Sequence, residues 1–250
     1  MRRLKLALYD LTLQGRRSKK LRRDFSSYGL IEVPRFLDAE WAAELRRVVN
    51  GIYSELAVAK EAGSEAFVAD EELAYHFTAW NGVNLKQLPM YLDAANPDLA
   101  RSWGRLFDHI KGQTEIIFGS TWEFVPLRSW FRRHIGFARK VPWHIDADAA
   151  AISGFGQDAF NVWLPLEAVG DDLPSLDVVP SSHQVMRQLP LLTGPDKYRD
   201  DDFVSNLGKA VTPALRPGDA LIFDQYTLHR TQPVGSEGSL RTACEFRFVR

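Results

Sequence analysis

The chain has 250 residues, 45% hydrophobic and 25% charged, with a formal net charge of −1. This composition excludes a disordered, collagenous or coiled-coil chain. The longest purely apolar runs, such as Ala149-Ala150-Ala151-Ile152, fall far short of the ~18 residues needed to span a bilayer. Nine of the 31 basic residues lie in 1–23 beside one acid, Asp10, which leaves 24–250 with 22 basic against 31 acidic residues and a net of −9. Most of the chain should therefore repel nucleic acid. A basic arm over 1–24 has charge enough for weak contact with an anionic membrane surface. Leu4, Leu8 and Leu11 recur there at near-helical spacing, although a solvated, partly frayed terminus is the simpler expectation. The arm lacks the small-residue cleavage site of a secretory leader. A single cysteine, Cys244, rules out an internal disulfide or a thiolate cage and fits a reducing, cytoplasmic setting.

After Gly29, the run Leu30-Ile31-Glu32-Val33-Pro34 predicts a short strand ended by proline. Asp38 then caps a helix from about Ala39 towards Tyr53, with Trp41, Leu45, Val48, Val49 and Ile52 on one face. A second helix is predicted over about 97–118, with Pro97 in its first turn and Leu99, Trp103, Leu106 and Ile110 at 3–4 spacing. Between them, residues 60–96 carry no clear period, and 66–75 fit either a strand or a turn of helix. From Thr121 the pattern shortens to strands: 121–125, 129–137, 160–166, 176–179, 220–223 and 243–249. Gly154-Phe155-Gly156, Gly170-Asp171-Asp172 and Pro217-Gly218-Asp219 punctuate them. Pro217-Gly218 suits a type II turn. Residues 181–210 interrupt the strands and are expected to cover one mouth of a barrel. The reading is one domain over 25–250, a helical front (about 25–120) packed on a β-rich sandwich or barrel (about 121–250).

With no thiolate cage possible, a metal site must draw on carboxylates and the six histidines, His76, His109, His134, His144, His183 and His229. In a strand, residues i and i+2 share a face, so His144 and Asp146 in Trp143-His144-Ile145-Asp146 can aim at one point. His229 would join them from a later strand. Two imidazoles and a carboxylate on one side of an ion leave the other side open, which suits non-haem Fe(II). Arg241, twelve residues beyond His229, offers a guanidinium fork for the far carboxylate of 2-oxoglutarate, a role in which lysine would be only a point charge.

From about residue 25 onwards the sequence resembles the phytanoyl-CoA dioxygenase (PhyH)-like Fe(II)/2-oxoglutarate oxygenases. The motifs are Tyr28–Pro34, Trp143–Asp146, Phe160-Asn161-Val162-Trp163-Leu164-Pro165-Leu166, Leu176–His183, Pro217–Phe223, and His229-Arg230-Thr231 followed by Arg241. The resemblance implies a mainly β fold with flanking helices: a double-stranded β-helix (jelly roll, cupin-like) buttressed by N-terminal helices. It also implies Fe(II), 2-oxoglutarate and O2 as cofactor and cosubstrates, and hydroxylation of a C–H bond in a small-molecule, lipid or saccharide substrate. It makes His144, Asp146 and His229 the metal ligands and Arg241 the cosubstrate anchor. Thr231 is a hydroxyl assisting the same carboxylate, Trp163 lines the cosubstrate pocket, and Asn161 is a weaker member of that pocket. The chain departs from the family at Ser181, where glycine is common, and at Ala243, where relatives often carry a hydroxyl. Asp146 disfavours halogenation, which goes with a small residue there. A catalytically silent jelly-roll sensor and a cupin-type metal isomerase share this architecture, and the latter has no use for Arg241.

Other residues have plainer readings. Arg241 could pair with Glu245 or Asp224, Trp163 could be core, and His134 could face pocket or solvent. His183 should fix the turn after Pro180, and Cys244 should behave as a small hydrophobe. Arg128, Arg132, Arg133, Arg139 and Lys140 form a basic cluster, either a solvated rim or a means of recognising an anionic substrate. In a strand Arg132 and Arg133 would face opposite ways. Trp80, Asn81, Asn84, Lys86 and Gln87 are substrate-side candidates on position alone.

Overall fold

The computed structural model describes residues 2–135, 141–148, 158–192, 194–233 and 239–250. Arg139, Lys140, the Gly154-Phe155-Gly156 turn and the side chains of the first 14 residues lie outside that description. The front comprises α1 (Arg2–Tyr28), β1 (Leu30–Val33), α2 (Ala39–Ala62), α3 (Glu65–Ala69), α4 (Glu71–Trp80), β2 (Gly82–Asn84), α5 (Leu88–Ala95) and α6 (Pro97–Phe118). The body comprises β3 (Glu123–Phe124), β4 (Trp130–Ile135), β5 (Ala159–Pro165), β6 (Leu176–Val178), α7 (Ser182–Met186), α8 (Asp201–Leu207), β7 (Ala220–Asp224), β8 (His229–Thr231) and β9 (Leu240–Val249).

The division expected at residue 24 falls inside α1, which runs unbroken into Tyr28. Capping explains the helix ends elsewhere. Asp38 accepts from the Trp41 amide at 3.0 Å, and Asn96 accepts from Leu99 at 3.1 Å with Pro97 following. α2 outruns its predicted end at Tyr53 because Leu56 and Ala59 continue the buried stripe until Gly63 takes the left-handed conformation. The unreadable 60–96 stretch holds α3, α4, β2 and α5. These elements are too short for a helical period to declare itself.

A large antiparallel sheet runs β1-β7-β5-β9-β4-β2, with β3 paired to the far end of β9. Alternation along β9 divides the molecule. Cys244, Phe246 and Phe248 face the helices, joined by Phe160, Val162 and Leu164 of β5, and this side meets Leu45, Ile52, Trp103 and Ile110 of α2 and α6. Arg241, Glu245 and Arg247 point the other way, with Asn161 and Trp163 of β5 and Trp130, Arg132 and His134 of β4. A second, smaller sheet of β6 and β8 lies across this inner face. Trp163, Leu176, Val178, Leu221, Phe223 and Ala243 form a separate apolar cluster on that side. The molecule is thus mainly antiparallel β, a double-stranded β-helix with helices flanking the large sheet.

Two turns use the left-handed region of the backbone, and only the second is strained by it. Gly218 has φ +94, and a Cβ there would sit 2.6 Å from the Leu37 carbonyl, so the Pro217-Gly218 turn requires glycine twice over. Ser181 adopts φ 65, ψ −2, a left-handed conformation that glycine takes without cost. Ser181→Gly should therefore stabilise the protein by about 0.5–1 kcal/mol, the left-handed penalty less glycine's extra chain entropy. A urea midpoint that falls instead would show that the Ser181 hydroxyl, 3.3 Å from the Ser27 carbonyl, outweighs the strain.

Candidate active site

His144 and His229 lie on adjacent segments and exchange both backbone hydrogen bonds, at 2.9 and 3.0 Å. Their ring centroids are 4.2 Å apart. Each Nδ1 sits beside a carbonyl two residues back, Pro142 at 2.8 Å and Thr227 at 2.9 Å. A carbonyl only accepts, so each Nδ1 carries the proton and each Nε2 keeps its lone pair, the tautomer a metal ligand needs. Asp146 does not arrive by strand alternation as expected. His144 is an isolated bridge residue, and Asp146 opens a 3-10 turn, Asp146–Asp148, which swings its carboxylate back towards the two rings. Donor atoms of His144, Asp146 and His229 lie within 4.8 Å of one another.

The turn is held from both sides. Arg247 of β9 forms an ion pair with Asp146 Oδ1, while Oδ2 is buried without a hydrogen-bond partner. Asp148, wholly buried, pairs with Arg199 at 3.0 Å and accepts from the Leu192 amide at 2.8 Å. Trp143 is tied to Asp201 at 2.8 Å. Leu192, Arg199 and Asp201 therefore hold the ligand segment, and Lys197 and Tyr198 line the cavity between the sheets. Burial, reinforced by neighbouring His229, holds His144 down to about 3, so its ring is neutral at pH 7. Burial alone would raise the Asp146 carboxyl, but Arg247 and then the two histidines hold it below the usual range. The donor set is thus the neutral His144 ring, the His229 ring beside it and the Asp146 carboxylate, with one orphaned oxygen among them. A divalent ion fits it.

The cavity between the sheets measures about 380 Å³. Arg241, 2% exposed, projects into it with Nε and Nη1 lacking partners and its guanidinium 5.4 Å from the Trp163 ring centroid. Neither expected rival claims it, since Glu245 pairs with Arg132 at 3.0 Å and Asp224 with Arg187 at 2.6 Å. Burial presses Arg241 down to about 10, still cationic at neutral pH. Thr231 and Asn161 line the same cavity, and the Asn161 Oδ1 is buried and unpartnered. Trp163 is both wall and core. A buried guanidinium with two idle donors fits a bound carboxylate.

Several candidates fall elsewhere. Of Trp80, Asn81, Asn84, Lys86 and Gln87, only Trp80 lines the cavity. Asn81 caps α4 and bonds the Arg133 carbonyl, Asn84 bonds the Leu127 carbonyl, and Lys86 and Gln87 border a separate surface hollow. Arg133 stacks on Tyr53 on the helix side, opposite to Arg132. His183 reaches the Ser26 carbonyl at 3.3 Å and packs where Gly29 leaves no room for a Cβ. His134 does line the cavity. Cys244 is buried against the helices. Two contributors escape a reading by motif. Arg247 follows Arg241 on the same face of β9 by the period of two, and that spacing was the available signal. Tyr198, 6.3 Å from the His144 ring, lies in an irregular segment with no such signal.

A double-stranded β-helix with two imidazoles and a carboxylate converging between its sheets is an architecture of the non-haem iron oxygenases. The family model for phytanoyl-CoA dioxygenase (PhyH) matches residues 25–243, and the chain belongs to that family. It is accordingly a non-haem iron, 2-oxoglutarate-dependent enzyme. Solved structures share the fold. The non-heme alpha ketoglutarate dependent epimerase SnoN from nogalamycin biosynthesis is 19% identical at a TM-score of 0.57, over 93% of this chain and 82% of that one. EctD from S. alaskensis, with 2-oxoglutarate and 5-hydroxyectoine, is 15% identical at 0.60, over 91% and 74%. The carbocyclase SnoK is 16% identical at 0.60, over 92% and 83%. No curated protein matches by sequence.

Proposed function

We propose that this enzyme hydroxylates an unactivated C–H bond of a small-molecule, lipid or saccharide substrate, with His144, Asp146 and His229 as the iron ligands and Arg241 as the 2-oxoglutarate anchor. When bound, iron and 2-oxoglutarate together activate O2, with succinate and CO2 as co-products. The chain's own residues do the rest. The two Nδ1–H groups stay on backbone carbonyls and fix both rings with Nε2 inward. Asp146 offers Oδ2 while Arg247 keeps Oδ1. Arg241 supplies its two unpartnered nitrogens to the distal carboxylate, with the Thr231 hydroxyl beside it and Trp163 and Asn161 as walls. Asp146, His229, Thr231 and Arg241 are buried, and their removal from bulk water strengthens each of these contacts.

The observation that carries this reading is Arg241, a buried cation with idle donors in the same cavity as the ligand cluster. A cupin-type isomerase has no need of it, and turnover separates the enzyme from a silent sensor. No helix among the described residues is long and apolar enough to cross a membrane, and the lone cysteine accords with a cytoplasmic setting. The cationic wall favours an anionic small molecule. A weak contact of the basic terminus with membrane surfaces stays part of the reading, and nucleic acid does not. The test is anaerobic addition of Fe(II) and 2-oxoglutarate to the full chain. A weak visible charge-transfer band should develop, vanish in His144→Ala, and give way to succinate when O2 is admitted. Turnover without O2 would overturn the proposal.

A further inference from the structure

Both members of the Arg247–Asp146 ion pair stand on a fixed main chain. Asn161 of β5 is the ladder partner of Arg247 on one side. On the other, the Arg247 amide donates to Ser129 Oγ at 2.9 Å and its carbonyl accepts from the Val125 amide at 2.8 Å. Ser129 Oγ in turn donates to the Val125 carbonyl at 2.9 Å. The Asp146 turn is tied down as well: the Ala147 amide donates to the Gln225 carbonyl at 3.0 Å, beside the Asp148–Arg199 pair at 3.0 Å. With the backbone held, the freedom left to Asp146 is rotation of its carboxylate, a broad torsion in aspartate. That rotation decides whether one oxygen or both turn towards the two histidine rings.

Arg247 sets it. A guanidinium fork laid flat on a carboxylate would occupy both oxygens. Here one nitrogen meets Oδ1 alone, and both the Arg247 Nε and the Asp146 Oδ2 are buried without partners. The pair thus splits the carboxylate into one oxygen already engaged and one in reserve for the ion. The split matters because carboxylates bind divalent ions through one oxygen or through both. Two imidazoles and one oxygen leave about three positions of an octahedral ion open, enough for a chelating 2-oxo acid and O2. A second oxygen from Asp146 would take one of them.

We propose that Arg247 is a positioning residue that keeps Asp146 a one-oxygen ligand and so preserves the coordination positions that 2-oxoglutarate and O2 require. This rests on the oxygenase reading of the site. A cation beside a metal site opposes metal binding, so the benefit of Arg247 has to appear at a later step, when the cosubstrate arrives.

The test loads the full chain with Mn(II) in place of Fe(II) and counts metal-bound waters by proton relaxivity before any cosubstrate is added. The wild type should hold about three such waters. Arg247→Met should lose about one third of that relaxivity without a fall in Mn(II) affinity. Calorimetry should then show 2-oxoglutarate binding at least about tenfold more weakly, the low end for loss of a partner that orients a ligand. Arg247→Lys, which retains a cation, should keep most of both. Unchanged relaxivity in Arg247→Met overturns the proposal even if 2-oxoglutarate binding falls, because Arg247 would then act on the cosubstrate directly. Undiminished 2-oxoglutarate binding overturns it too, as does a fall in Mn(II) affinity as large as that in the cosubstrate. If Arg247→Met and Arg247→Gln both fail to fold, or fold without taking up Mn(II), Arg247 is a structural residue and the proposal falls. A wild type that binds neither Mn(II) nor 2-oxoglutarate is recognised before any variant is made, and it overturns the oxygenase reading itself.

Discussion

Arg241→Met should weaken 2-oxoglutarate binding by roughly a hundredfold or more, and at the same time make the ligand-free protein more stable. Both effects follow from one side chain. Two charge-assisted hydrogen bonds to a carboxylate are each worth about 1.5–3 kcal/mol, and the buried Arg241 holds two nitrogens in reserve for them. Without the ligand those donors are a liability of about 1–3 kcal/mol, which methionine removes while filling much the same volume. The charge is present at every pH below about 10, so its burial is unfavourable across the neutral range. Calorimetric titration of 2-oxoglutarate and thermal melting of the apo protein give the two readouts. Unchanged affinity with raised stability would reduce Arg241 to a structural oddity.

His229→Ala and Asp146→Ala should both abolish Fe(II) binding, but they should differ in what they do to the fold. Losing a ligand should cost more than the ~10–100-fold in metal affinity that follows loss of a supporting partner. His229 contributes its backbone to the pairing with His144, and alanine preserves that. Asp146 also neutralises Arg247, and the pair is nearly buried, with side-chain exposures of 7% and 13%. Removing the carboxylate strands the guanidinium, and breaking a buried pair in this way costs about 3–5 kcal/mol. Cobalt(II) titration followed by absorbance separates ligand loss from unfolding, and urea denaturation measures the second. Equal stability for the two variants would mean that the Arg247 contact contributes nothing.

Much of the site was legible because its residues lie in strands or flank them. The period of two places Asn161 and Trp163 on one face of β5 and opposes Arg132 to Arg133 on β4. The helix starts were legible at Asp38 and Pro97, where a capping side chain and a proline mark the first turn. The local route to Asp146 was not, since nothing in the tripeptide His144-Ile145-Asp146 distinguishes a strand from a bridge followed by a 3-10 turn. Arg199, Asp201 and Tyr198 support the ligand segment from a region without periodicity, and sequence spacing carries no information about such contacts. Short helices between 60 and 96 were equally opaque, because one or two turns are stabilised by packing rather than by pattern.

The hydrogen-bonded pairing of His144 with His229 makes closure of the small sheet and assembly of the donor set a single event. The spacing of the two rings is imposed by the main chain, so an ion that engages both must also lock the ladder. Metal occupancy then becomes a conformational ligand for the barrel's thinner wall, with a contribution that grows as the logarithm of free ion over its dissociation constant. When iron is scarce, fraying should begin at the 144 and 229 amides, and the enzyme would lose its reactive centre well before its helical buttress gives way.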